Sequence, residues 1–284
     1  MPMDIRKEFT MNTENKQKEL RCPMCQELVF QAYSLTKNEK ESVNWLHCRC
    51  GFMFHQVEVD PKTVWTPEYA KEYADLKFVK ERMLYYIRLY APICEELTYG
   101  RRMLDVGFCT PILMEEMERR GWLTAGVDLI PNKYVTGDFM TETFEGERFD
   151  LIWMSDFLQC LKDPIPAIYK AYELLRPNGV LFIITPNTDN IRRNYIPAWG
   201  HWDMQTCQSF INERILREAL IKCEASFNGR MQILYLNPCN MSTRMISWQN
   251  MHVIAQKTKV EDNQMYKKLM EDANEGSLET DKGI

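Results

Sequence analysis

From Arg101 to Lys257 the chain alternates between two apolar patterns. Short runs, "RMLDV", "LTAGVDL", "YVTGD", "FDLIWMS", "VLFIITP", "MQILYLN" and "MHVIAQK", predict strands, and the most continuously apolar of them read as strands buried on both faces. Between them, "PILMEEMERRG", "DPIPAIYKAYELLRPNG" and "NERILREALIKCE" place apolar residues three and four positions apart, the spacing of an amphipathic helix. Thr110 with Pro111 predicts the start of the first helix, with Pro111 at its first position, and Gly121 its end. Pro177 with Gly179 closes the second. Strand and helix in turn predict an α/β fold, a mostly parallel sheet covered on both faces. Upstream, "TPEYAKEYADLKFVKERMLYYIRLYAPICEEL" has helical spacing, with Thr66 as cap, Pro67 at the first position and Glu68 in the first turn. Pro92 is expected to break or bend that pattern. Residues Asn187 to Phe210 lack periodicity and are rich in Trp, Asn and Pro, which reads as a lid inserted after a strand, where α/β enzymes bind substrates.

These patterns divide the chain into a polar arm (1–21), a cysteine-rich module (22–60), a helical connector (61–98), a core (99–257, with 187–210 as the lid) and an acidic tail (258–284). No apolar run approaches the roughly 18 residues of a membrane span, and the N-terminus "MPMDIRKEFTMNTENKQKEL" has no apolar centre of a secretory signal. The net charge of −5 argues mildly against a nucleic-acid partner. The argument stays mild because the tail from Lys259 onward supplies −3 of it, leaving the rest near neutral.

Cysteine spacing changes the picture most. Cys22-x-x-Cys25 and Cys48-x-Cys50 form two tight pairs, while the other six cysteines are scattered. Paired knuckles with isolated thiols fit a reducing, cytoplasmic setting and a metal site rather than a disulfide framework. Four thiolates in a tetrahedron, about 2.3 Å from the ion, are what a structural Zn²⁺ site requires, and the stretch between the pairs is long enough for a hairpin. Gly51 supplies the backbone freedom of the second knuckle, and "FMFHQVEV" after it reads as a strand. His47 and His55 stand nearby as alternative ligands, each reading first as a surface or packing residue. With four sulfur ligands no coordination position stays open, so the predicted zinc is structural.

The candidate cofactor chemistry starts in "RRMLDVGFCTPILMEEMERRGW", a strand running through Gly107 into a helix, where a nucleotide-binding fold places its glycine loop. Such a loop alone is a weak signal. Its partners follow at the right distances. Asp128 ends the next strand, where a carboxylate can accept both ribose hydroxyls, and "TGDF" puts Asp138 where it can accept from an adenine amino group, with Phe139 beside the ring. "FDLIWMSDFLQCLKDP" ends a fourth strand in polar groups, and "LRPNGVLFIITPN" gives a helix end, a turn and a strand.

In those motifs, "LDVG", "GVDL", "GDF", "FDLIWMSDFLQCLKDP" and "LRPNGVLFIITPN" in that order, the chain resembles class I S-adenosylmethionine-dependent methyltransferases, and with its cysteine module their zinc-ribbon subgroup, which has small-molecule and sugar-modifying relatives. The resemblance covers 22–57 and nearly all of 99–257. It implies a Rossmann-like sheet of seven strands, the last antiparallel, with S-adenosyl-L-methionine as cofactor. By it Asp105 and Gly107 lie at the methionine end, Asp128 at the ribose and Asp138 at the adenine. The full candidate cofactor set is Asp105, Gly107, Cys109, Asp128, Leu129, Asp138, Phe139 and Ser155. Family loops read Asp-x-Gly-x-Gly-x-Gly, whereas Cys109 and Pro111 interrupt that pattern here. A left-handed backbone at position 109 costs roughly 1–2 kcal/mol without glycine.

Asp156, at the end of the fourth strand, and His201, in "IPAWGHWDMQ", are the candidate general bases. Trp199 and Trp202 are candidates to line an acceptor pocket or to anchor the lid. Tyr73 reads as a core aromatic, the alternative being contact with a cofactor carboxylate. The leading expectation is methyl transfer to a small molecule, such as a sugar or nucleotide-linked sugar. An RNA methyltransferase docking through the ribbon and a catalytically degenerate assembly module stay open beside it.

Overall fold

The computed structural model describes residues 20–29, 31–38, 41–55, 60–130, 134–190, 206–227, 230–237 and 250–258. In chain order, β1 (Gln31–Asn38), β2 (Glu41–His47) and β3 (Met53–His55) precede three helices, α1 (Pro61–Val64), α2 (Pro67–Asp75) and α3 (Lys77–Leu97). Then come β4 (Arg102–Val106), α4 (Ile112–Arg119), β5 (Leu123–Asp128), β6 (Val135–Thr136), β7 (Phe149–Ser155), a 3₁₀ turn (Leu158–Cys160), α5 (Ile165–Leu174) and β8 (Leu175–Pro186). The described chain closes with β9 (Ser209–Phe210), α6 (Glu213–Phe227), β10 (Arg230–Asn237) and β11 (Asn250–Thr258). No helix among the described residues is long and apolar enough to cross a membrane.

The larger sheet has seven strands in the order β10-β11-β8-β7-β4-β5-β6. All described pairings from β8 to β6 are parallel, and β11 runs antiparallel between β8 and β10. The seven-stranded α/β sheet with an antiparallel last strand is thus the one the motifs implied. Alternation along each central strand divides the core into two layers, because successive side chains point to opposite faces. Leu104, Ile152, Met154, Leu181 and Ile183 meet α5 and α6 on one face. Met103, Leu151, Trp153, Val180 and Phe182 meet α3 and α4 on the other.

Three sequence expectations shift. Pro92 does not end its helix: α3 continues through it, since one lost backbone bond is outweighed by burial of Tyr86, Ile87, Tyr90, Ala91 and Cys94 against the sheet. The actual break falls at Leu76, an extended residue joining α2 to α3. The helix read through Gly179 stops at Leu174, and "RPNG" forms the bulged start of β8. There a Cβ on Gly179 would lie 2.9 Å from the Arg176 carbonyl oxygen, so glycine is required by close approach rather than by a helix end. Pro111 caps α4 from outside, with helical residues beginning at Ile112 and no cap bond from Thr110.

The N-terminal sheet, in the order β1-β2-β3-β9, borrows its last strand from the core. Ser209 and Phe210, the end of the segment read as a lid, pair antiparallel with Phe54 and Met53. Trp199, His201 and Trp202 lie outside the described residues.

On β11, His252 is buried against the rings of Tyr86 and Tyr90, its Nδ1 hydrogen-bonded to the Tyr90 hydroxyl. Burial drives its pKa down to about 4, with Asp156 opposing weakly. A depressed histidine binds fewer protons folded than unfolded, so its contribution is intact above about pH 6.5 and is lost as pH falls toward 4. Urea unfolding at pH 8 and pH 5 is expected to show about 2 kcal/mol lost to this group. His252→Phe should flatten that part of the slope, and an unchanged slope in the variant would contradict it.

Candidate functional site

At the carboxyl ends of β4 to β7 lies a cavity of about 300 Å³. All eight candidate cofactor residues line it, namely Asp105, Gly107, Cys109, Asp128, Leu129, Asp138, Phe139 and Ser155, and Asp156 lines it too. Asp105, Asp128 and Asp138 follow one another on the ends of adjacent strands β4, β5 and β6.

The altered glycine turn keeps the conformation that glycine would favour. Cys109 sits at φ +51 and Gly107 at φ +69. Gly107 cannot be replaced freely, because a Cβ there would stand 2.7 Å from the Phe157 ring. The left-handed cysteine is held by its own N–H, which donates to Asp128 Oδ2 at 2.8 Å, while Ile130 N–H donates to Oδ1 at 2.9 Å. The strain foreseen at position 109 is therefore present and is offset by a charge-assisted hydrogen bond. Burial pushes the Cys109 thiol up to about 12, with Asp128 adding to it, so the side chain is a neutral wall and not a nucleophile.

Asp105 is buried, and its Oδ2 has no hydrogen-bond partner among the described residues. Burial first and Asp128 second raise its pKa well above the carboxylate range. Thr110 Oγ1, also on the cavity wall, is likewise buried without a partner. Orphaned polar atoms facing a cavity are costly unless a ligand satisfies them. A ligand ammonium suits both. Across the cavity, Asp138 Oδ1 accepts the Met140 N–H at 2.8 Å, and buried Phe139 stands edge-on to Phe157. The donor set therefore fits S-adenosylmethionine: carboxylates for an ammonium, a diol and an amino group, and a ring for a base.

Asp156 differs from the exposed carboxylate that an end-of-strand position suggests. It adopts φ +56, which Asp tolerates better than most residues, and its N–H continues the sheet by donating to Ile184 O at 2.9 Å. Arg82 of α3 approaches its Oδ2 at 3.1 Å, while Gln159 and Asn250 donate to Oδ1 at 3.4 and 3.5 Å. Arg82 also donates to the Tyr73 hydroxyl at 3.0 Å. Oδ1 thus holds the side chain in place, while Oδ2, ion-paired with Arg82 but without a hydrogen bond among the described residues, keeps acceptor capacity for a partner hydroxyl.

Sequence reasoning missed part of this wall. Trp65, Tyr69 and Tyr73, mutually stacked or edge-on with centroids 5.3 to 6.4 Å apart, line the cavity from α2 and its approach. Tyr73 is thus a cavity residue rather than plain core. Arg82 was detectable as the one cation among Val79, Met83 and Tyr86 on the inward face of α3. Thr206 and Cys207, with Gln159, Cys160 and Leu161, form the opposite side.

The four ribbon cysteines converge as expected. Their sulfurs all lie within 4.8 Å of one another, with Cys22 to Cys50 at 3.7 Å and Cys25 to Cys48 at 3.4 Å. A tetrahedral zinc with bonds of about 2.3 Å needs sulfurs about 3.8 Å apart, so the cluster fits one ion. The hydrogen bond from Cys50 draws the Cys22 thiol down to about 5, whereas burial holds Cys48 up at about 11. A divalent ion taking four thiolates would release protons as it bound.

Similarity to known proteins points the same way. The profile of a family described as "Methyltransferase domain" matches residues 77–223. The ubiquinone biosynthesis O-methyltransferase of Actinobacillus pleuropneumoniae serotype 5b is 31% identical over 110 residues, covering 31% of this chain and 47% of that protein. The protein of the same name from Pseudomonas aeruginosa strain LESB58 is 26% identical over 106 residues, with 31% and 45% covered. The chain spans about half the length of the curated relatives it matches. Among solved structures, the 1,6-didemethyltoxoflavin-N1-methyltransferase of Burkholderia thailandensis superposes with a TM-score of 0.49 at 12% identity, covering 80% of this chain and 99% of that one. A methyltransferase from Methanosarcina mazei gives 0.43 at 20% identity, covering 60% and 98%. With the family profile matched over more than half its length and the seven-stranded sheet in place, the chain belongs to the class I S-adenosylmethionine-dependent methyltransferase domain family.

Proposed function

We propose that this chain transfers a methyl group from S-adenosyl-L-methionine to a hydroxyl of a small molecule, with a sugar or nucleotide-linked sugar as the acceptor class. The observation that carries the reading is the convergence of three carboxylates and a buried phenylalanine on one cavity, with a buried oxygen of Asp105 left without a partner among the described residues. The name of the curated relatives, an O-methyltransferase, supports oxygen as the acceptor atom.

The cofactor supplies a methyl group already activated on a sulfonium, so positioning and water exclusion carry much of the rate. Asp105 would meet the ammonium, and Asp128 would take the ribose hydroxyls on the lone pairs left after Cys109 and Ile130. Asp138 would accept from the adenine amino group between Phe139 and Leu129. Ser155, at the end of β7, would border both ligands. Asp156, fixed by Arg82, Gln159 and Asn250, would orient the acceptor hydroxyl, and His201 would take its proton.

The test is to incubate the protein with methyl-labelled cofactor and fractionated cell extract, then to follow label by mass spectrometry. Label is expected in the small-molecule fraction. His201→Ala should cut turnover by about 10²–10⁴, the range for a lost general base, with cofactor affinity unchanged. Label confined to RNA would replace this reading with the ribbon-docking one, and turnover preserved in His201→Ala would leave Asp156 or positioning alone to carry the chemistry.

A further inference from the structure

We infer that the zinc-ribbon module is a brace for one wall of the cavity, with His55 and Trp45 as positioning residues that set residues 206–210. The inference extends the proposed function, since it makes the ribbon part of the acceptor side. It rests on geometry that would hold whatever ligand occupied the cavity.

The chain of contacts is short. Trp45 and His55 face each other across β2 and β3, their rings edge-on at 4.9 Å. Trp45 stacks on Phe210 of β9 at 4.7 Å, and His55 Nε2 bonds the Cys207 carbonyl at 3.1 Å, donating to it. Both aromatic partners are essentially fully buried. Cys207 and Thr206 line the cavity themselves.

The same segment then grips the loop after β7. Gln208 N–H donates to Gln159 O at 2.7 Å, its side chain to Cys160 O at 3.0 Å, and Ser209 Oγ to Leu161 O at 2.6 Å. Gln159, Cys160 and Leu161 are cavity residues, and Gln159 donates to Asp156. The path from ribbon to Asp156 is therefore continuous, with residues 207–210 as the bridge.

The cysteine cluster anchors the other end of this brace. Gly51, in the second knuckle, accepts the Thr188 hydroxyl at 2.6 Å, and Arg214 donates to Cys50 O at 3.0 Å. A Cβ on Gly51 would collide with Asn212 at 2.1 Å, and Asn212 Oδ1 in turn accepts the Ile215 N–H at the start of α6. A module that docked a separate macromolecule would need its face free. Here one face is spent on the core.

Hydrogen exchange followed by mass spectrometry tests this on the zinc-loaded chain, with bound metal and affinity for S-adenosylhomocysteine measured alongside. His55→Leu should speed exchange in 206–212 by about tenfold, the scale of one lost hydrogen bond. Metal content should stay at one ion per chain, and S-adenosylhomocysteine affinity should change less than about threefold. His55→Gln, which keeps an N–H donor, should stay near the parent chain. The brace is overturned if 206–212 exchanges alike in all three proteins, if His55→Leu speeds exchange uniformly along the chain, or if His55→Gln behaves as His55→Leu. Failure of the parent chain to bind S-adenosylhomocysteine would instead overturn the proposed function, because the exchange measurement needs no cofactor.

Discussion

Replacing Cys48 by serine is expected to abolish zinc binding and to unfold the ribbon. Three thiolates and a hydroxyl hold zinc far less tightly than four thiolates, and metal binding in such modules is worth roughly 10 kcal/mol or more of folding free energy. Contacts from Thr188, Arg214 and Phe210 also hold the module, so the loss is expected first at its cysteine cluster. Its sheet has one three-residue strand and one of two residues, and Cys22, Cys48 and Cys50 are themselves part of the buried core cluster. The loss should also spread, because β9 pairs only with β3 among the described strands. Elemental analysis should show about one zinc per parent chain, as four thiolates imply, and little in the variant, with a melting transition lowered or split. Parent protein purified without chelator and carrying no zinc would remove the basis of this account of the ribbon.

Asp128→Ala is expected to weaken S-adenosylhomocysteine binding by about 1.5–3 kcal/mol, roughly ten- to hundredfold, the loss typical of hydrogen bonds to a charged group. Two contributions act together. The ligand loses an acceptor for its ribose hydroxyls, and the turn loses the carboxylate that holds Cys109 N–H and Ile130 N–H. Without that anchor the left-handed cysteine keeps its strain and loses its compensation. Asp128→Asn retains one acceptor oxygen and should lose less. An affinity within threefold of the parent in Asp128→Ala would show that the ligand does not reach β5.

The fold was legible where long apolar runs and helical spacing agreed, as in β7, β8 and α3. The strand order was not, because periodicity reports which face a residue takes and not which strand lies beside it. The resemblance alone implied seven strands with the last antiparallel, and the order itself is seen only in the structure. Of the two outcomes expected at Pro92 the break does not occur, because one missing N–H is a local cost while the burial of Tyr90 and Cys94 around it is a tertiary gain. β9 was unreadable for another reason. Two residues carry no period, and its partner β3 lies over 150 residues upstream.

The eight candidate cofactor residues were legible as positions that end a strand or follow one in a turn, and all of them line the cavity, whereas Thr110 beside them was not read as part of it. The facing wall was not. Trp65, Tyr69 and Tyr73 share helical spacing with ordinary core aromatics, and only the packing of α2 against the Cys109 turn turns them toward the cavity. Arg82 and Asp156 were separable as polar residues but not as a pair, because they stand 74 positions apart in the chain.

The central claim is that this cavity holds S-adenosylmethionine despite Cys109 and Pro111 in place of glycines. Calorimetric titration of the zinc-loaded chain with S-adenosylmethionine and with S-adenosylhomocysteine tests it most directly. Saturable binding of one ligand per chain is predicted for both, weakened in Asp128→Ala. No heat with either ligand at millimolar concentration would contradict the account and leave the fold as a shell without its cofactor.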